Sequence, residues 1–108
     1  MHMETKRIAI RWKLKDGFEE EYERRHDEIW PELLKLIKDS GISDYSIFLD
    51  RETNLLFAYQ KQTGNLPNLE NPNNPVVRKW LDYMADIMEV DPDNYPLERP
   101  LIELFYLP

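Results

Sequence analysis

Apolar and polar residues alternate from Arg7 to Leu14, with Ile8, Ile10, Trp12 and Leu14 on one side and Arg7, Ala9, Arg11 and Lys13 on the other. That period of two predicts a strand with one buried face. Asp16-Gly17 interrupts it. Phe18 to Asp27 then takes up helical spacing, with Glu20/Arg24 and Glu21/Arg25 four residues apart on what reads as a solvated face. Pro31 disfavours helical geometry at Trp30, so this helix should end or kink between His26 and Ile29. A second helix should carry Pro31 in its first turn and run to Asp39, closed by Ser40-Gly41. Tyr45 to Asp50 and Leu55 to Gln62 are apolar, aromatic-rich runs joined by Asp50 to Asn54, the pattern of a hairpin. Gly64 to Pro75, rich in proline and asparagine, predicts an ordered surface loop. Helical spacing returns from Val76 to Met88 through Val77, Trp80, Leu81, Met84, Ile87 and Met88. Asp91 to Pro96 is rich in turn residues, and Leu101 to Leu107 predicts a last strand.

Strand, helix in two pieces, strand, strand, helix, strand is the order of the split βαβ, ferredoxin-like α+β fold: one four-stranded sheet with helices on one side. The opposite face of so small a sheet is left uncovered, and residues such as Phe48, Leu56 and Leu104 would make it apolar. Two such faces packed together would bury it, which predicts a homodimer, a dimeric α/β barrel type of assembly.

Composition narrows the function. A chain of 108 residues makes one domain, too small to add a separate cofactor domain. With 21 acidic and 14 basic residues and a net charge of −7, it lacks the clustered cations that a nucleic-acid backbone requires. The absence of cysteine removes disulfides, thiolate metal sites and a thiol nucleophile. No apolar run approaches the ~20 residues needed to span a bilayer, and the start lacks a signal-peptide core, so no membrane partner is expected and the cytoplasm is the default location. Met1-His2-Met3 reads as an extension ahead of the natural start, and His2 is left out of the chemistry. The three glycines form no G-x-G pattern, which disfavours dinucleotides and phosphorylated substrates. His26, Asp27 and Glu28 are consecutive and point apart on a helix, and Asp91 and Asp93 lack the other ligands of a calcium loop, so neither metal nor cofactor is expected.

His26 is the one histidine beyond the first two residues, and therefore the one side chain poised to exchange protons near neutral pH. Tyr22 lies four residues before it, on the same helix face. Taken alone, the two read more simply as amphipathic residues on a helix that packs through Phe18. Six tyrosines, three tryptophans and four phenylalanines exceed what a small core needs, and one use for them is a sugar pocket, with aromatic faces on the C–H side of a pyranose and hydroxyls on its polar edge. Trp80 could as well be core packing on a helix, and Tyr45 half-buried scaffold at a strand start.

Several segments together resemble one family: Glu21 to His26 running into Ile29-Trp30-Pro31-Glu32-Leu33, Gly41 to Tyr45, Leu49-Asp50 with Asn54-Leu55-Leu56-Phe57-Ala58, Trp80 with Tyr83 to Met88, Pro92-Asp93-Asn94, and the closing Phe105-Tyr106-Leu107-Pro108. In that order and spacing they are similar to the L-rhamnose mutarotases, over nearly the whole chain. The resemblance implies a cofactor-free, cytoplasmic homodimer of ferredoxin-like subunits that interconverts the α and β anomers of L-rhamnose. It places His26 at the family's proton-donor position and Tyr22, Tyr45 and Trp80 at its substrate-binding positions. The family pattern has a second tryptophan after the one matching Trp80. Here Leu81 takes that substrate-binding place, which bears on sugar identity more than on reaction type. The chemistry agrees: anomer exchange needs one proton delivered to the ring oxygen and one taken from the anomeric hydroxyl, work suited to a pKa near the working pH. A place near a helix C-terminus should favour the imidazolium. The rival readings are a mutarotase for another 6-deoxy sugar or aldose, a non-enzymatic dimeric ferredoxin-like module that binds a small ligand, and a small oxygenase-like enzyme of similar fold.

Overall fold

The structure, a computed structural model, describes residues 5–63 and 74–108. The alternating run forms β1 (Thr5–Lys13), and the two helical segments form α1 (Glu19–Asp27) and α2 (Pro31–Asp39). Trp30 is extended at φ −62° and ψ 134°, so Pro31 opens α2 at its first position, where the missing N–H costs nothing. Ser40 and Gly41 close it. Gly41 has φ +79°, and a Cβ there would run into the Thr63 carbonyl oxygen, so only glycine fits the turn.

The hairpin consists of β2 (Ile42–Asp50) and β3 (Leu55–Thr63). Its turn is held by the Asp50 carboxylate, which accepts from Glu52 N–H and Thr53 Oγ1, both at 3.0 Å. α3 (Pro75–Met84) follows, capped by Asn74, whose side chain accepts from Val76 N–H at 3.0 Å. The loop expected over 64–75 lies outside the described residues apart from Asn74 and Pro75, as do Met1 to Met3. A two-residue strand, β4 (Arg99–Pro100), completes a sheet in the order β2-β3-β1-β4 with every pairing antiparallel. This is the ferredoxin-like α+β arrangement. No helix among the described residues is long and apolar enough to cross a membrane.

The helix-facing side of the sheet holds Ile10 and Trp12 from β1, with Leu14 just beyond its end, Leu56 and Ala58 from β3, and Ile47 and Leu49 from β2. Leu14, Tyr22, Leu56, Met84, Ile87 and Met88 form the buried core beneath the helices. Three expectations change. Leu56 is 2% exposed and faces this core, so it does not belong to the open face. The outward side chains of β3 are Leu55, Phe57 and Tyr59, with Phe48 beside Phe57, because a one-residue difference in parity exchanges the faces of a strand.

The second change is at α3, which stops at Met84 rather than Met88. Beyond it the backbone pairs with β1 instead: Lys15 N–H donates to Ile87 O at 2.9 Å and Glu89 N–H to Lys13 O at 3.0 Å. Local periodicity yields to these tertiary bonds, while Ile87 and Met88 stay buried. Third, the last strand is Arg99–Pro100, not Leu101 to Leu107. Leu101 N–H still bonds Ala9 O at 2.9 Å, but further along no described neighbour supplies a ladder, and 101–108 are exposed, Leu104 by 92%. The tail is held by Arg7, which donates to both Glu103 carboxylate oxygens at 2.6 and 3.0 Å and lies over the Tyr106 ring.

Candidate functional site

α1 presents Tyr22 and His26 one turn apart, and the rings stack with centroids 4.3 Å apart and 29° between planes. Trp80 of α3 meets His26 in a T-shaped arrangement, with centroids 5.4 Å apart. Behind it, Trp30 packs on Trp80 at 5.2 Å and on Tyr83 at 5.5 Å, so the residue that separates α1 from α2 also supports the ring on α3. The five aromatic rings form a continuous ladder from α1 to α3.

Arg25 anchors the far end of that ladder. Its guanidinium lies 4.3 Å from the Tyr83 ring centre and donates to the Tyr83 carbonyl at 2.7 Å, to Asp86 at 2.9 Å and to Glu21 at 2.6 Å. The residue is 8% exposed. The charged face expected to be solvated is therefore solvated only in part: Arg24 is exposed, and it pairs with Glu21 and Glu28 instead of Glu20, whereas Arg25 turns inward because Tyr83 and Asp86 offer it partners. The two arginines hold the Glu21 carboxyl down to about 2.

Tyr45 reaches the same side of the sheet by way of a bulge. Ser43 pairs with Lys61 and Ser46 with Tyr59, so Asp44 and Tyr45 together oppose Gln60, and Asp44 takes φ +49°. The bulge switches the parity of β2, which lets Ile42 face inward at one end and Tyr45, Ile47 and Leu49 at the other. Burial pushes the Tyr45 phenol up to about 12, helped by the nearby Glu98 carboxylate and Tyr95. Burial, with Tyr45 close by, also raises Tyr22 strongly. Both phenols therefore remain protonated at any working pH.

Burial lowers the His26 pKa from its usual 6.5 and outweighs the Tyr22 carbonyl and Asp27, which act the other way. The effect expected from the helix end is thus overturned, since desolvation of a half-buried ring exceeds the pull of a terminal dipole. His26 Nδ1 lies 2.9 Å from the Tyr22 carbonyl oxygen, which can only accept, so Nδ1 carries the proton and Nε2 of the neutral ring carries the lone pair.

Between helices and sheet lies a cavity of about 940 Å³, at the top of the ~300–1,000 Å³ range of small-molecule sites. Tyr22, His26, Tyr45, Trp80 and Leu81 all line it. The fold brings every residue singled out from the sequence to one space. The cavity is also lined by residues not singled out: Trp12, whose indole N–H donates to Glu98 at 3.3 Å, and Gln60 and Gln62, which interrupt the apolar inward face of β3. The sequence signal for the glutamines was present in the inward series Leu56, Ala58, Gln60, Gln62, once the parity of β3 is known. Asp91, suggestive of a calcium loop, is instead a turn residue: its carboxylate accepts from Asp93 N–H at 2.8 Å and Tyr95 N–H at 3.0 Å.

Comparison with known proteins gives this geometry a context. The sequence profile of the L-rhamnose mutarotase family matches residues 7–107. A protein named L-rhamnose mutarotase from Phocaeicola vulgatus is 55% identical over 102 residues, covering 94% of this chain and 98% of that one. The crystal structure of an L-rhamnose mutarotase from Formosa agariphila superposes with a TM-score of 0.88 at 52% identity, over 95% of this chain and 99% of that one. A Nitrosomonas europaea protein described provisionally as an antibiotic biosynthesis monooxygenase superposes with a TM-score of 0.61 at 11% identity, over 97% of this chain and 95% of that one. That likeness shows a shared fold and nothing more.

Proposed function

The chain belongs to the L-rhamnose mutarotase family, and on that footing we propose that it is an isomerase interconverting the α and β anomers of L-rhamnose, with His26 as its proton-transfer residue. The observation that carries the assignment of His26 is its neutral ring, with Nδ1 tied to a carbonyl and Nε2 left for chemistry, on a residue lining the cavity. Nε2 takes the proton from the anomeric hydroxyl as C1–O1 becomes a carbonyl. The C1–O5 bond breaks, its electron pair goes to O5, and O5 takes a proton from a phenol, Tyr22 or Tyr45. After rotation about C1–C2, O5 attacks the other carbonyl face, returns its proton to the phenolate, and the imidazolium gives its own to O1. His26 is the base in opening and the donor in closing. Trp80 supplies a stacking face for the sugar, and Leu81 an aliphatic one beside it.

Saturation transfer between the α and β anomeric proton signals of L-rhamnose measures this exchange at equilibrium. The rate should exceed that of buffer without added metal or nucleotide and fall as the pH drops through the His26 pKa, which lies below 6.5, because the protonated ring cannot accept. Above that pKa the profile should be flat. Exchange no faster than buffer for L-rhamnose but rapid for another aldose would move the substrate and keep the reaction. Sugar binding without exchange would make the chain a binding module.

The same reading carries a cytoplasmic location and a homodimer closed through the open sheet face. Phe48 is 62% exposed there, and Leu104, Phe105 and Leu107 of the tail are exposed by 92%, 81% and 78%. Sedimentation equilibrium at micromolar concentration is expected to give twice the 13.1 kDa of one chain. A compact species of single-chain mass would remove the dimer.

A further inference from the structure

Gln60 and Gln62 are each 7% exposed, on the helix-facing side of β3, in a wall that is otherwise largely aliphatic and aromatic. Burying amides in such a wall is unfavourable unless their hydrogen bonds are made. One is made: Gln62 Nε2 donates to Gln60 Oε1 at 2.8 Å. That bond leaves the Gln60 amide N–H groups, one N–H of Gln62 and the Gln62 carbonyl without a partner among the described residues. None of those atoms is sealed off inside the protein, and both residues line the cavity.

The pair sits beside the proton-transfer groups. The bulge sets Tyr45 against Gln60, one strand spacing away, at about 5 Å between side-chain roots. Tyr45 is near enough to Tyr22 to shift its pKa, and Tyr22 stacks on His26. Ile8 pairs with Gln60 and Ile42 with Gln62 across the sheet. Donors and an acceptor in mutual register, framed by aliphatic groups, match a sugar that carries neighbouring hydroxyls and a methyl group in place of a hydroxymethyl.

We propose that Gln60 and Gln62 form a hydroxyl-reading subsite that binds the ring hydroxyls away from the anomeric carbon and so sets sugar selectivity, a role that deepens the mutarotase reading and rests on it. The amides touch neither O1 nor O5. They govern affinity, while His26 governs the rate of exchange.

The test is a comparison of Gln60→Leu/Gln62→Leu with the wild type, using L-rhamnose and its monodeoxy analogues lacking one ring hydroxyl. Affinity is read by tryptophan fluorescence and exchange by saturation transfer. The expected result is about a tenfold loss of affinity for L-rhamnose with little change in exchange rate at saturation. At least one deoxy analogue that the wild type binds more weakly than L-rhamnose should be bound by the variant as well as L-rhamnose is, a loss of discrimination that a purely structural role would not produce. Should the double variant fail to fold, Gln60→Met and Gln62→Met singly carry the same comparison. Unchanged affinity and unchanged discrimination in a folded variant overturn the subsite alone. A wild type that neither binds nor exchanges L-rhamnose overturns both this subsite and the mutarotase reading.

Discussion

His26→Ala is expected to slow anomer exchange by about 10²–10⁴-fold, the range for loss of a positioned proton-transfer group. The substitution also removes a ring that stacks on Tyr22 and meets Trp80 edge-on, so about 1 kcal/mol of stability should go with it. The two losses are separable: melting temperature reports the packing, and exchange per folded molecule reports the chemistry. Exogenous imidazole should restore part of the exchange, because the vacated space lies against the cavity and admits a diffusing base. Full activity in a folded His26→Ala protein would leave the proposed mechanism without its centre.

The second large effect concerns stability. Arg25→Ala should lower the unfolding free energy by about 3 kcal/mol, a drop of more than about 10 °C in Tm for a chain of this size. The Coulomb attraction to Asp86 deserves a discount, since that carboxylate is 66% exposed. What water cannot replace so readily is the donor to the Tyr83 carbonyl at the end of α3 and the flat guanidinium against the Tyr83 ring. Arg25→Lys should recover little of the loss, because an ammonium cannot serve Glu21, Asp86 and a carbonyl from one rigid fork. Loosening Tyr83 also loosens Trp30 and Trp80, so sugar affinity should weaken along with the fold. Urea unfolding decides the matter; a loss below about 1 kcal/mol would show that Arg25 contributes no more than a surface ion pair.

Arg25 marks the limit of what the pattern of residues discloses. Spacing alone gave Glu21 and Arg25 as an i,i+4 pair, and the pair exists. Spacing could not reveal that α3 ends beside it and offers a carbonyl and a ring, which makes the arginine a buried strut. The boundaries of α2 were legible because Pro31 and Gly41 act locally, through a fixed φ and a φ that only glycine tolerates comfortably. The end of α3 was not, because Ile87 and Met88 keep helical spacing while their backbone bonds to β1. His26, Tyr22, Tyr45, Trp80 and Leu81 could be named through the family likeness, and the cavity gathers them. The protonation of His26 and the inward turn of Gln60 and Gln62 depend on burial and strand parity, which become visible only once the chain is folded.

The bulge at Asp44 and Tyr45 has a consequence for how this sheet tolerates change. Side chains before and after it obey opposite facing rules, so β2 behaves as two short strands with separate anchors. Ile42 is fixed by the Gly41 turn against Thr63, and the run from Ser46 to Asp50 by its ladder with β3. The single surplus residue absorbs the mismatch between those anchors. Loss of one residue at Asp44 would force the two halves into a common phase, and whichever anchor yielded would rotate either Ile42 out of the core or Tyr45 out of the cavity. Chain length at this one position is therefore as much a determinant of the cavity as the identity of any residue lining it.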